Sequence, residues 1–133
     1  MDMAALVSTW SKDPSTQVGA VIVSPSNHVV SVGFNGFPRG ISDDKRLNDR
    51  ESKYMNVIHA EMNALMFANQ SVEGCTLYVH PFQPCSRCAV CLIQSGIKKI
   101  VTEVLSKTCE RWYNDFKNAR TLFNEAGVEL LEI

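Results

Sequence analysis

His59-Ala60-Glu61-Met62-Asn63-Ala64 and Pro84-Cys85-Ser86-Arg87-Cys88-Ala89 bracket a short apolar run, Thr76-Leu77-Tyr78-Val79. The three pieces read as helix, strand and helix. From Val57 to Gln70 the apolar residues Met62, Leu65 and Met66 recur at helical spacing, and Gly74 ends the connection that follows. The strand 76–79 delivers the chain to Pro84, and proline is tolerated in the first turn of a helix, where no N–H donor is needed. A second helix therefore runs from Cys85 to Gln94 and is capped by Ser95-Gly96. Helices alternating with strands in this way call for right-handed crossovers and parallel pairing in one sheet. Because the two helices flank one strand, their N-terminal ends can meet on one face.

What meets there is a set of metal ligands. His59, Cys85 and Cys88 supply an imidazole and two thiolates, three protein ligands that suit zinc and leave the fourth tetrahedral position for water. Placed on a helix, Glu61 would point about 200° away from His59, so it can sit at the edge of the site without ligating. The N-terminal dipole of the second helix favours two thiolates. A closed structural site is the alternative, with Cys91 as fourth ligand roughly one helical turn beyond Cys88. The catalytic reading instead makes Cys91 a small buried apolar residue.

Working outward, the rest of the chain completes an α/β pattern. Residues 2–10 read as a short helix with Met3, Leu6, Val7 and Trp10 at helical spacing, and residues 11–17 as a loop marked by Asp13-Pro14. Val18 to Val23 is a doubly covered central strand, joined through Ser24-Pro25-Ser26-Asn27 to a second strand carrying Val29, Val30 and Val32. Lys98 to Val104 is a strand, Glu110 to Ala126 a long amphipathic helix lined by Trp112, Phe116, Ala119, Leu122 and Phe123, and Val128 to Leu131 a last strand. The order α-β-β-α-β-α-β-α-β predicts one domain over residues 1–133, a three-layer α-β-α fold around a five-stranded mixed sheet.

Two stretches stay outside regular structure in this reading. Gly33-Phe34-Asn35-Gly36-Phe37-Pro38-Arg39-Gly40 reads either as a plain surface turn or as backbone that approaches a ligand closely. Residues 41–56, with Asp43, Asp44, Lys45, Arg46, Asp49, Arg50, Glu51 and Lys53, read as a solvated face.

Bulk numbers narrow the function classes. The chain has 133 residues, 45% hydrophobic and 20% charged, with a formal net charge of −1. Without a basic run, no stable nucleic-acid partner is expected. Of five cysteines, Cys75, Cys91 and Cys109 show no disulfide framework. With no signal peptide and no long apolar run, the expectation is a reduced, cytoplasmic protein with no membrane partner.

The motifs taken together resemble the deoxycytidylate (dCMP) deaminases, within the cytidine/deoxycytidylate zinc deaminase superfamily. The resemblance rests on Ser11-Lys12-Asp13-Pro14, Gln17-Val18-Gly19-Ala20, Gly33-Phe34-Asn35-Gly36-x-Pro38-x-Gly40 and His59-Ala60-Glu61-Met62-Asn63-Ala64. It continues in Pro84-Cys85-x-x-Cys88-Ala89, Gln94-x-Gly96-Ile97-Lys98 and Ala126-Gly127-Val128, so it covers nearly the whole chain. His-x-Glu followed by Pro-Cys-x-x-Cys is the signature of zinc nucleobase deaminases. The resemblance implies a cytidine deaminase-like fold, hydrolysis of dCMP to dUMP and ammonia, zinc on His59, Cys85 and Cys88, and Glu61 as the proton shuttle. It also implies that Asn35 binds the substrate's sugar; peptide groups near Ala60 and at the Cys85 helix start would orient the base. Residues 41–56 lack the His and Cys that give some relatives a second zinc, so one Zn2+ per chain is expected. The amino end looks several residues shorter than is usual among the relatives. The resemblance further implies a homo-oligomer, a hexamer in several relatives, with dCTP and dTTP as effectors.

A nucleotide substrate brings a phosphate, and Lys12, Arg39 and Arg111 are the candidates to hold it. The competing readings are deamination of another cytosine nucleotide or nucleoside (dCTP, cytidine), a tRNA adenosine deaminase, and a non-catalytic zinc-binding module. The near-neutral charge weighs against tRNA. Retention of Glu61, which adds nothing to metal binding, weighs against the silent module.

Overall fold

A computed structural model of the chain describes residues 1–105 and, apart from the side chain of Glu110, residues 110–133. The elements are α1 (Asp2–Ser8), β1 (Gly19–Val23), β2 (Val29–Phe34), α2 (Arg50–Asn56), α3 (Ala60–Met66), β3 (Thr76–His80), α4 (Ser86–Gln94), β4 (Lys99–Thr102), α5 (Tyr113–Ala126) and β5 (Glu129–Glu132). Short 3₁₀ turns at Lys45–Asn48 and Glu110–Trp112 precede α2 and α5. The expected five-stranded mixed sheet is present, in the order β2-β1-β3-β4-β5. β1 pairs antiparallel with both β2 and β3, whereas β3, β4 and β5 run parallel.

Alternation along the strands divides the core into two layers. Ala20, Ile22, Leu77, Val79 and Ile100 point to the face covered by α3, α4 and α5, where Ala64, Leu92, Phe116, Ala119 and Phe123 pack against them. Val21 points the other way, under Ala4 and Val7 of α1. Each fully buried Leu, Ile or Phe in the larger layer contributes about 1.5–3 kcal/mol.

Two glycines let helices lie this close. A Cβ at Gly19 would sit 2.2 Å from the Ala4 carbonyl oxygen of α1, and one at Gly33 would sit 2.3 Å from the Ala60 oxygen and 2.4 Å from the Ala64 nitrogen of α3. The close approach also corrects the expectation for the first helix. It buries its small residues Ala4, Val7 and Ser8, while Met3, Leu6 and Trp10 are about half exposed, at 48%, 60% and 50%.

Other boundaries move for local reasons. The helix expected over 57–70 is shorter at both ends, because Ile58 forms a β-bridge with Gly36 that holds the chain extended up to His59. Within it, Met66 is exposed, and the buried face is Ala60, Glu61 and Ala64. The expected solvated face at 41–56 contains α2, whose N-cap is Asp49, the carboxylate accepting the Ser52 N–H. Cys91 is exposed and not buried, because α4 turns Cys88, Ala89 and Leu92 inward. Cys75 and Cys91 are unpaired thiols, and Cys109 lies outside the described residues. Among the described residues no helix is long and apolar enough to cross a membrane.

The strand directions put the ends of β2, β3, β4 and β5 and the start of β1 along one edge of the sheet. The helices that begin at that edge are α3, α4 and α5. Gly33→Ala is expected to lift α3 off β2 and destabilise the fold by about 1–3 kcal/mol, as overpacking does. Urea unfolding of the two proteins measures it, and an unchanged midpoint would show that α3 is not seated as tightly as described.

Candidate active site

Both metal-bearing helices present their first residues, not their interiors. His59 is the N-cap of α3 and Cys85 the N-cap of α4, each with extended backbone, and Cys88 follows on the first turn of α4. The sequence expectation placed His59 on the helix; the Ile58–Gly36 bridge holds it one residue ahead. His59 Nδ1 lies 3.5 Å from Cys85 Sγ and 3.3 Å from Cys88 Sγ, and the three ligand atoms lie within 4.8 Å of one another. A tetrahedral zinc with Zn–S of about 2.3 Å and Zn–N of about 2.0–2.1 Å spaces its ligands about 3.6 Å apart, so the set fits the ion. Cys91 is not part of the group, and among the described residues this is the metal-competent cluster.

The electrostatics suit a cation at this point. A hydrogen bond from Cys88 holds Cys85 down to about 4, with further help from His59, while the same contact and burial push Cys88 up. The bond to Cys85 raises His59 against the opposing effect of burial. Glu61, in the first turn of α3, is 4% exposed. Burial is the largest influence on its carboxyl and raises it above the ordinary carboxylate range, against the pull of His59. A buried carboxyl that holds its proton readily is suited to carry one between two partners.

These residues close the inner end of a cavity of about 190 Å³. His59, Ala60, Glu61 and Cys85 are at its buried end. Phe82, Trp112 and Phe116 form an aromatic wall, with Trp112 and Phe116 stacked at 6.1 Å and Phe82 and Phe116 at 5.8 Å between centroids. Exposed Arg50 and Arg111 lie at the outer end, where the Arg111 guanidinium sits 4.9 Å over the Tyr54 ring and 5.5 Å over Trp112. Lys53, from α2, reaches inward to Asp13 at 3.1 Å and to the Ser15 hydroxyl.

Asn35 holds one wall together. Its Oδ1 accepts the Val18 N–H at 2.8 Å, and its Nδ2 donates to the Thr16 carbonyl at 2.9 Å and to Asp13 at 3.4 Å. An amide oxygen has two lone pairs, and among the described residues Asn35 Oδ1 accepts one bond, from Val18. Asp13 in turn accepts from the backbone of Ser15 and Thr16. Burial tends to raise its carboxyl, but these bonds and Lys53 outweigh that and hold it below the ordinary range.

Of the residues singled out from sequence, Asn35, Ala60 and Arg111 line the cavity together with His59, Glu61 and Cys85. Lys12 and Arg39 do not. Lys12 pairs with Asp43 at 3.2 Å beside a second depression, and Arg39 lies 5.3 Å over the Phe67 ring. Sequence reasoning missed Arg50, Lys53 and Tyr54, which α2 carries to the cavity. The available signal was Asp49 as an N-cap before a run without Gly or Pro.

Residues 1–104 match the family described as cytidine and deoxycytidylate deaminase zinc-binding region. An uncharacterised deaminase of Aliivibrio fischeri, from the luxG 3′ region, is 48% identical over 129 residues, covering 96% of this chain and 86% of its own. The human deoxycytidylate deaminase is 42% identical over 137 residues, covering 96% and 74% respectively. The crystal structure of dCMP deaminase from cyanophage S-TIM5 in complex with dCMP and dUMP superposes with a TM-score of 0.78 at 26% identity, over 99% of this chain and 92% of that one. A metal set that leaves one position open, a buried carboxyl beside it and these likenesses converge: the chain belongs to the cytidine and deoxycytidylate deaminase family.

Proposed function

We propose that the chain hydrolyses dCMP to dUMP and ammonia. The observation that carries this reading is the buried Glu61 carboxyl, which shares the closed end of the cavity with a three-ligand metal set, opposite an outer end lined by arginines. Zinc bound by His59, Cys85 and Cys88 would lower the pKa of water toward about 7 and so make a nucleophile available at neutral pH. The remaining work falls to the chain. Phe82, Trp112 and Phe116 enclose the base and exclude water, and the peptide at Ala60 orients its edge. Glu61 accepts one proton from the attacking water and delivers it to N3; it then takes the second from the hydroxyl newly bonded to C4 and delivers it to the amino group, so that ammonia leaves as the C4 carbonyl forms. One carboxyl serves as base and acid because the two roles are sequential.

The rest of the substrate follows the cavity outward. The second lone pair of Asn35 Oδ1 suits a sugar hydroxyl, and Arg111, with Arg50 beside it, suits the phosphate through charge-assisted hydrogen bonds. A few placed donors suffice for this, so a net charge of −1 is compatible with a nucleotide substrate. Assembly into a homo-oligomer fits the apolar residues left exposed at Met3, Leu6, Met66 and Phe67. Regulation by dCTP and dTTP rests on the family resemblance alone.

Three measurements test the reading. Metal analysis of the purified protein is expected to give close to one zinc per chain, retained in Cys91→Ser and lost in Cys88→Ser; loss from Cys91→Ser would mean a closed four-ligand site. Glu61→Gln keeps the shape but cannot carry the proton, so it should retain zinc while turnover falls by orders of magnitude. Residual activity above about a tenth of wild type, a barrier change below about 1.4 kcal/mol, would remove Glu61 from the shuttle role. In an ammonia-release assay across dCMP, CMP, dCTP, cytidine and deoxycytidine, dCMP should be used fastest. Arg111→Ala should lower kcat/KM for dCMP far more than for deoxycytidine. Equal use of nucleoside and nucleotide by the wild type would move the assignment to a cytidine deaminase.

A further inference from the structure

The N-cap of α4 has a conflict of duties. That position ordinarily uses its side chain to accept one of the unpartnered N–H groups of the first turn. In α4 the N-cap is Cys85, whose thiol faces His59 and makes no capping bond. The N–H of the helix's first residue, Ser86, which an N-cap side chain does not serve, finds its acceptor on another helix. Asp115, in the first turn of α5, accepts the Ser86 N–H on Oδ2 at 2.9 Å. The Ser86 hydroxyl donates to the Asp115 carbonyl at 2.9 Å and accepts from Asn118 Nδ2 at 3.0 Å.

The other side of Cys85 is fixed to the same helix. Gln83, 2% exposed, donates to the Phe116 carbonyl at 3.1 Å and accepts from Arg120 Nε at 2.6 Å. The segment 83–86 is therefore held to α5 on both flanks of the ligand. Gln83 uses its amide on a backbone carbonyl and a guanidinium, whereas Asp115 bonds the peptide group that directly follows Cys85. That N–H is the one whose position sets the turn carrying both Cys85 and Cys88.

We propose that Asp115 is a positioning residue for the metal site: it holds the first N–H of α4 from outside the helix and so fixes the turn that places the two sulfurs relative to His59. The inference rests on the reading of His59, Cys85 and Cys88 as a zinc site. Partners one shell out from a metal typically change its affinity by 10- to 100-fold when removed.

The test measures zinc transfer from the purified protein to a chromogenic chelator, and the visible spectrum of the cobalt(II)-substituted protein. Asp115→Ala should release zinc at least about 10-fold faster and shift the cobalt d–d bands, which report ligand geometry. Asp115→Asn keeps an acceptor oxygen within reach of the Ser86 N–H and should recover most of the wild-type retention and spectrum. Lys117→Ala, an exposed change on the same helix, should behave as wild type. Wild-type release from Asp115→Ala, or an Asp115→Asn no better than Asp115→Ala, would overturn the proposal. So would a Lys117→Ala that loses zinc as readily, since the effect would then be general to α5. If Asp115→Ala does not fold, the comparison of Asp115→Asn with wild type decides, with a spectrum unlike wild type counting against the proposal. A wild-type protein that takes up no zinc would instead overturn the underlying reading of the site.

Discussion

The seating of α3 against β2 is the contact on which the rest of the site depends. Gly33 leaves no room for a side chain beneath Ala60 and Ala64, so the helix lies almost on the backbone of the strand. That distance sets where the first turn of α3 begins, and with it the height of His59 and Glu61 above the sheet edge. The Ile58–Gly36 bridge fixes the same point along the other axis. Since α4 starts from the far end of β3, one strand removed from the β2 side, a small displacement of α3 would separate His59 from the two thiols. Three ligand atoms within 4.8 Å therefore depend on a missing Cβ and one bridge, well before any metal is bound.

A site built this way gathers buried polar groups, and each has its compensation nearby. Among the described residues Glu61 has no salt-bridge partner, and burial raises its carboxyl, which favours the neutral form and lowers the cost of enclosing it. Asp13 is enclosed as an anion because backbone N–H groups and Lys53 surround it. The two carboxyls sit in one cavity yet are pushed in opposite directions, one suited to moving a proton and the other to holding a loop. This separation of roles follows from local surroundings and not from residue type.

How much was legible in the sequence varies with the range of the interaction. The sheet, the strand positions and the cluster of His59, Cys85 and Cys88 could be read because they rest on apolar periodicity and on ligand types at fixed spacing. Glu61 could be read as an extra carboxylate that the metal does not need. The orientation of α1 could not, because a stripe of Met3, Leu6 and Trp10 looks like a core face until Gly19 draws the small residues inward. Nor could α2, since its charges look solvated until Lys53 is seen to reach Asp13, forty positions earlier. Lys12 and Arg39 were plausible phosphate partners by loop membership, but a loop's side chains go where local partners hold them, in these cases to Asp43 and Phe67.

The division of labour along the chain follows the same logic. The family match ends at residue 104, and everything that makes the metal cluster and its carboxyl lies within it. The outer cavity is different: Arg111, Trp112 and Phe116 all come later, from the turn before α5 and its first residues. The same helix holds the segment 83–86 through Asp115, Phe116 and Arg120, so it shapes the cavity and steadies a metal ligand at once. Substitutions on the cavity side of α5 can thus alter which ligand fits while leaving the buried chemistry in place, provided the bonds to Gln83 and Ser86 persist. A change that broke those bonds would reach the thiols without touching the cavity wall. In this chain the metal-competent cluster is set by two helix starts, and one wall of the cavity by a third helix whose bonds also hold the segment before one of them.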